Sequence, residues 1–282
     1  MAILSNSLIP VPLETSEKGW IRAKDLKVGH RVFDGDGKPC TVTSIRTEKH
    51  ETQKISLTDE TEISYYSPTF YGASYQDRRR NAGNSFYGFN TARETIRYGG
   101  DLNYSLSAPP SLDLPAVEGL RNPYETGVYL PQIISTDLNL TLYLRGSLEQ
   151  RLELLRGFMD FNGSIDKAGK CEVTTCSRKL ALLMMELLYT VGFIPKIYVK
   201  AAANRATRFR IYFLPILHAC FKDPEKLKRV RNNYHTRSLT RYIEDLHTET
   251  KQEFVCFTTD SASHLVICLP SFIALPEDSP CA

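Results

Sequence analysis

The sequence predicts a mixed fold: an all-β module assembled from both chain ends and interrupted by an α+β domain. Three observations carry this. From Leu8 to Phe70, apolar and polar residues alternate in short runs such as "HRVFDGDGKPCTVTSIRT" and "TQKISLTDETEISYY", the period of half-buried strands. Helical spacing is confined to the middle of the chain, where Leu148, Leu152, Leu155, Phe158 and Met159 form one stripe and Leu180, Leu183, Met184, Leu187, Leu188 and Val191 another. β character then returns in "EFVCFTTDSASHLVICLPSFIA". A length of 282 residues with 42% hydrophobic content suffices for two cores.

Along the chain, "DGDGK" (Asp34 to Lys38) reads as a hairpin turn, because glycine supplies the positive φ such turns need. A calcium loop is excluded there, since the later oxygen ligands and the closing Glu are missing. From Gln76 to Asn122 the composition shifts to Arg, Asn, Gly, Ser, Tyr and Pro, as expected of a connecting segment. The second helical stripe is closed by Gly192 as a C-cap, with Pro195 beyond it. "KCEVTTCS" and "KIYVKAAANRATRFRIYFLP" suit strands, and in "RATRFRIYF" Arg208 and Arg210 alternate with Phe209 and Ile211, so the cations share one sheet face. The boundaries expected from these shifts are 1–76 and 251–282 for the β module, 77–122 for a linker, and 123–250 for the inserted domain.

Net charge is a mild +3, but its distribution is uneven. Between Lys196 and Arg241 twelve Lys or Arg residues face only Asp223 and Glu225. Such a stretch suits either a phosphate-facing surface, with double-stranded DNA as partner, or a solvated face. Arg78, Arg79 and Arg80 form a further short basic run. The seven cysteines are odd in number and contain no CxxC pair, which points to thiols in a reducing compartment. "MAILSNSLIPVPLE" has no basic n-region and is broken by Pro10 and Pro12, so the chain reads as intracellular and cytoplasmic, without a membrane partner.

Three separated segments resemble one family, the inteins that carry a LAGLIDADG homing endonuclease. "ILSNSLIPVP" followed by "GWIRAKDLKVGHRVF" resembles the opening of a Hint (hedgehog/intein) splicing domain, which places the nucleophile position on Ala2. "SPTF" is similar to that domain's second block, usually Thr-x-x-His, with Ser67, Thr69 and Phe70 at its positions and Phe70 where His would stand. "FVCFTTDSASHLVI" resembles the C-terminal β block and carries Cys256 and His264. The family ends on an Asn that cyclises; here Ala282 holds that position and Cys281 precedes it. Three explanations fit: two ends disabled by substitution, an element that has decayed, or a variant that uses Cys256 as its first nucleophile. The plain alternative for Cys256 is a small buried strand residue.

"LLRGFMDFNGSID" resembles the LAGLIDADG helix and its acidic turn, and "MELLYTVGFIPKI", ending near Lys196, resembles the helix and strand that follow. In the family two such helices pack through small residues, each delivering a carboxylate to divalent cations. Gly157 fits the contact. Asp160 is retained, but the catalytic acid position falls on Asn162. "NPYETGVYLPQIIS" resembles the first motif, with its acid position on Gln132, yet Gly127 and Gly157 are too close in sequence for a complete first repeat between them.

The resemblance therefore implies a splicing element, needing no cofactor and acting on flanking extein segments, with an embedded DNA-binding domain impaired in cleavage. Any residual cleavage would use Mg²⁺ at Asp160 and Asn162. Arg178, Lys179, Lys200, Arg205, Arg208 and Arg210 are the expected DNA contacts. Two alternatives are an active endonuclease, dimerising through the Gly157 helix with Asp160 or Asp166 as ligand, and a non-enzymatic DNA-binding protein.

Overall fold

The computed structural model describes residues 2–57, 62–65, 74–77, 102–107, 110–135, 138–202, 205–231 and 240–276. The chain divides into two compact units, one made of Met1–Pro109 with Leu239–Ala282 and the other of Pro110–Ser238. The first unit opens with β1 (Ala2–Leu4), β2 (Leu8–Pro10), β3 (Trp20–Arg22), β4 (Arg31–Phe33), β5 (Pro39–Leu57), β6 (Glu62–Tyr65), β7 (Ser74–Asp77) and β8 (Leu102–Ser107). The second unit carries α1 (Pro123–Val128), α2 (Leu130–Ile133), α3 (Leu140–Leu144), α4 (Leu148–Asn162), β9 (Gly163–Ile165), β10 (Cys171–Thr175), α5 (Arg178–Thr190), β11 (Lys196–Ala202), β12 (Arg205–Phe213) and α6 (Pro224–Leu227). The chain then returns to the first unit through β13 (Thr240–Thr259), β14 (Leu265–Cys268) and β15 (Ile273–Pro276).

In the first unit β5 and β13 pair antiparallel from Val42–Thr259 to Leu57–Ile243, with register shifts that interrupt the ladder and add local twist. β4 and β6 join β5, while β1 and β8 join β13, and β7 joins β8. The β4–β5 turn is built as its sequence suggests. The Asp34 amide donates to the Lys38 carbonyl (2.8 Å), and Asp34 Oδ1 accepts from the amides of Asp36 (2.9 Å) and Lys38 (2.8 Å). Gly37 takes φ +81° in that turn, a conformation costly for other residues. Ile9, Val32, Val42, Ile55, Phe257 and Val266 are buried in one core, so the alternation seen in the sequence is the alternation of inward and outward strand faces.

In the second unit Ser147 and Gln150 form a capping box at the start of α4, and the Ser147 and Ser177 hydroxyls each accept a backbone N–H at a helix N-terminus. Gly192 follows α5 with φ +83°. The strands lie in the order β11-β12-β10-β9, with Cys171, Val173, Ile211 and Phe213 buried in a core shared with α4 and α5. Arg151 is fully buried and donates to the carbonyls of Gly146 (3.0 Å), Thr190 and Leu112, which ties α4 to the end of α5 and to the strand of chain entering the unit. Burial pushes its pKa down, and the neighbouring Arg145 guanidinium adds to the shift.

Two boundaries differ from those the composition suggests. Part of the expected linker is strand: β7 pairs with β8, and β8 pairs with Thr240–Tyr242 of β13. Residues 240–250, expected in the inserted domain, belong to β13 as well. The reason is chemical. "TRYIEDLHTET" is mostly polar and its Tyr, Ile and Leu do not alternate, so the sequence does not announce a strand that pairs with β5. Conversely, the chain from Pro110 onward belongs to the second unit, because the Leu112 amide donates to the Thr190 carbonyl (2.9 Å) and the Gln150 side chain bonds both the amide and carbonyl of Val117.

The segment "NPYETGV" forms the helix α1. α1 packs on α4 so closely that a Cβ on Gly127 would collide with the Leu154 carbonyl, and one on Gly157 with the Tyr124 carbonyl. Between α1 and α4 stand only α2 and α3, with no strand described there.

Candidate functional site

Two places in the first unit bring chain ends together. β1 runs antiparallel to β13 with Ala2 opposite Cys256, Ile3 opposite Val255 and Leu4 opposite Phe254, and the Ser5 amide extends the ladder to the Glu253 carbonyl (3.0 Å). Opposite Cα atoms in such a ladder are about 4.5–5.5 Å apart. Cys256 is 1% exposed, flanked by buried Phe254, Val255 and Phe257. Beside this ladder lies a cleft of about 270 Å³ lined by Ile3, Leu4 and Ser7 from the N-terminal segment and by Leu269 and Leu275 from the C-terminal hairpin β14–β15. Lys54 and Glu62, ion-paired at 2.6 Å, form its polar wall. Sequence reasoning missed that pair, since an alternating strand gives no sign of which polar residue will border a cleft.

His264 is exposed on the turn between β13 and β14, with φ +52°, and does not line this cleft. Leu269 (φ +64°) and Phe272 (φ +50°) share that backbone region, so the described non-glycine residues with positive φ are all in the C-terminal stretch. Each such residue costs of order 1–3 kcal/mol and is held by its surroundings. Here the Leu269 amide donates to the Leu8 carbonyl (3.1 Å), and buried Arg241 donates to the Ser271 carbonyl (2.7 Å). Ser67, Thr69, Phe70, Arg78, Arg79, Arg80, Cys281 and Ala282 lie outside the described residues.

In the second unit the outer face of the sheet carries the expected cations. Cross-strand pairs place Lys196 opposite Tyr212, Tyr198 opposite Arg210, and Lys200 opposite Arg208, and all these residues but Tyr212 are exposed. Arg210 is not simply presented to solvent: its guanidinium holds Glu172 through two bonds of 3.0 and 2.9 Å, and that bond draws the Glu172 carboxyl below its usual range. Lys170 Nζ lies 3.8 Å above the Tyr212 ring. Arg178 and Lys179 are exposed in the first turn of α5 rather than on this sheet. The side chain of Arg205 lies outside the described residues.

The tip of α4 is the third place. Both carboxylate oxygens of Asp160 are engaged: Tyr124 Oη donates at 2.7 Å, the Lys222 amide reaches both oxygens at 3.1 Å, and the Asp223 amide reaches one at 3.1 Å. Lys222 Nζ lies 4.6 Å over the Tyr124 ring and pairs with Glu153 (2.5 Å). Asn162 turns its amide to the partner helix, Nδ2 donating to the Val128 carbonyl at 3.1 Å, and Gln132 is exposed on α2. Asp166 instead closes the β9–β10 turn, accepting from the amides of Ala168 (2.8 Å) and Lys170 (2.9 Å).

Mg²⁺ needs several hard, preferably anionic oxygens. The only carboxylate of the expected pair is committed to N–H and O–H donors, and Asn162 presents a donor to a carbonyl. Among the described residues no group of three or more His, Cys, Asp or Glu side chains is arranged to hold a metal. The expected donor set does not fit the ion.

The Asp160 bond, with burial second, pushes the Tyr124 phenol from 10.0 up to about 12. A phenol raised in the folded state stabilises fully below its unfolded pKa, and the contribution is lost as pH rises through the folded value. Stability of the second unit should therefore fall between about pH 10 and 12 in wild type, and that fall should be absent in Tyr124→Phe; denaturant titrations at stepped pH measure it. A pH profile unchanged by the substitution would show that the bond does not persist in solution.

No family model matches the chain. It is 24% identical to a replicative DNA helicase DnaB of Mycobacterium intracellulare over 327 aligned positions, covering 92% of this chain and 55% of that protein, so the chain spans about half the length of the curated relative it matches. Among solved structures it is similar to the MchDnaB-1 intein (9% identity, TM-score 0.36, covering 98% of this chain and 99% of that one). It is likewise similar to the Ssp DnaB mini-intein variant M86 (9% identity, TM-score 0.39, covering 99% and 95%) and to the gp41-1 intein (10% identity, TM-score 0.35, covering 99% and 99%). Among the described residues no helix is long and apolar enough to cross a membrane.

Proposed function

We infer that this chain is an intein-type protein-splicing element whose second unit is a LAGLIDADG-like domain that binds double-stranded DNA without cutting it. The observation that carries the splicing half is the β1–β13 ladder. It sets residue 2, which has no nucleophile of its own, directly across from the buried thiol of Cys256. In the reaction we assign, Cys256 Sγ attacks the carbonyl carbon of the peptide bond preceding Ala2. The C–N bond breaks, the thiol proton passes to the released Ala2 amine, and the upstream segment is left as a thioester on Cys256. The partners are then the flanking extein segments, and this step needs no cofactor.

The strained stretch from His264 to Phe272 supports the same reading, because it holds the C-terminal hairpin against the N-terminal segment around one cleft. A segment inserted between polypeptides needs its two ends near each other, and the first unit is built from both ends of the chain. Expression between two foreign domains tests the reading. It predicts a linear upstream fragment released by added thiol, or ligated flanks; flanks that stay joined to an intact chain under all conditions would refute it.

DNA binding rests on the sheet face bearing Lys196, Lys200 and Arg208, with Tyr198 exposed among them, cations that share one side of the layer. Affinity for duplex DNA should fall steeply with salt. Arg208→Gln should weaken it uniformly across sequences, about 5- to 10-fold at 0.1 M salt, and reduce the log–log salt slope by roughly one. Fluorescence anisotropy with unrelated duplexes reads both; an unchanged slope would remove Arg208 from the interface. Cleavage is not part of this reading, because the α4 tip offers one carboxylate, already engaged.

A further inference from the structure

The C-terminal end of a helix leaves carbonyls without intrahelical partners and concentrates partial negative charge, so a cation there is stabilising. At the end of α4 this demand is met within the chain. Lys226, on the short helix α6, places Nζ 2.8 Å from the Met159 carbonyl, 2.7 Å from the Asp160 carbonyl and 2.8 Å from the Gly163 carbonyl. An ammonium has three protons, and three carbonyl oxygens receive them. The segment that delivers Lys226 is fastened at the same place: the Lys222 and Asp223 amides bind the Asp160 carboxylate, and the Asp223 side chain caps α6 by accepting from the Glu225 amide (2.9 Å). Both Asp160 carboxylate oxygens and the Met159, Asp160 and Gly163 carbonyls thus each receive a proton from the protein itself.

We propose that the tip of the motif helix is a cation site filled from within, the Lys226 ammonium serving permanently as the charge that closes α4, so that the second unit takes up no divalent cation there. The inference rests on reading α4 as a LAGLIDADG-like helix, since only that family raises the expectation of a metal. It has a consequence that Asn162 alone does not explain. Restoring an acid by Asn162→Asp would not create a metal site, because the new carboxylate would face the Val128 carbonyl that Asn162 now serves as donor, while Lys226 and the 222–223 amides would still hold the oxygens around Asp160.

The test uses the full chain and MnCl₂ as probe. In wild type and in Asn162→Asp, the electron paramagnetic resonance signal of free Mn²⁺ at millimolar concentration should be undiminished. The Lys226 ammonium should give a slowly exchanging ¹H–¹⁵N signal. Lys226→Ala should lower the unfolding temperature of the second unit, and methylammonium chloride should restore part of the loss where sodium chloride at the same ionic strength does not. Lys226→Met, which fills the space without charge, should be destabilised and not rescued. One equivalent of Mn²⁺ bound by wild type and released in Asp160→Asn would overturn the proposal, as would Lys226→Ala with unchanged stability and no response to methylammonium. Should Lys226→Ala fail to fold, the Mn²⁺ titration and the ammonium signal of wild type still decide. None of these readouts depends on splicing or DNA binding, so failure of the functional reading and failure of this inference are separable.

Discussion

Cys256→Ala is expected to abolish release of the upstream flank by added thiol, a loss of at least about 10³-fold in rate, since nothing replaces the attacking sulfur. The substitution removes one buried heavy atom from the core, so it should cost about 1 kcal/mol of stability and leave the fold intact. Cys256→Ser should keep the shape of the site and retain only slow cleavage, because a hydroxyl is far less ionised than a thiol at neutral pH. The thiol is 1% exposed, and exposure of that order in the free chain means that β1 must shift or fray for the attack to occur. β1 is only three residues long and, among the described residues, pairs with β13 alone, so the opening breaks few hydrogen bonds and its main cost is exposing Ile3. Release of the upstream flank at wild-type rate in Cys256→Ala would assign the thiol to packing alone, and the reaction would then have to begin elsewhere.

The parts of this protein that were legible in the sequence are those written in periodicity. The two long helices, the stop of the second at Gly192, the Asp34–Lys38 turn and the alternation of Arg208 and Arg210 with Phe209 and Ile211 each follow from a local rule, and each is where that rule puts it. The polar half of β13 was not legible, because its mostly polar residues show no apolar alternation to announce a strand. Nor were the contacts that decide chemistry. Arg210 reads as a free cation until Glu172, on a neighbouring strand, is found beneath it. Lys226 reads as one charge among many in "DPEKLKR", and its three carbonyl partners lie more than sixty positions earlier in the chain. Asn162 reads as a lost acid, whereas the geometry shows a donor: an aspartate there would set an anion against a carbonyl dipole, so the amide suits the present tip better than the carboxylate would. The amide that makes Asn162 a poor cation ligand is the group that supplies the interhelical bond.

Gly157→Ala is expected to have the largest structural effect of any single methyl addition in the second unit. A Cβ at Gly157 would meet the carbonyl oxygen and carbon of Tyr124, and neither can swing away as a side-chain end could, because both belong to the backbone of α1. The reciprocal clash, Gly127 against the Leu154 carbonyl and the Phe158 amide, means that relief on one side worsens the other unless the helices separate. Separation would break the Tyr124–Asp160 and Asn162–Val128 bonds together, since both span the same helix pair. Overpacking alone costs about 1–3 kcal/mol, and with two interhelical hydrogen bonds lost the total should reach about 4–5 kcal/mol, at the extreme of single substitutions. Denaturant unfolding followed by near-ultraviolet circular dichroism would read it, and Gly157→Ala with Gly127→Ala should cost less than the sum of the two, because one separation of the helices relieves both contacts. Thiol-dependent flank release, which belongs to the other unit, should survive either substitution. A Gly157→Ala chain as stable as wild type would mean that α1 and α4 do not touch backbone to backbone in solution, and the helix pair on which the second unit is built would have to be abandoned.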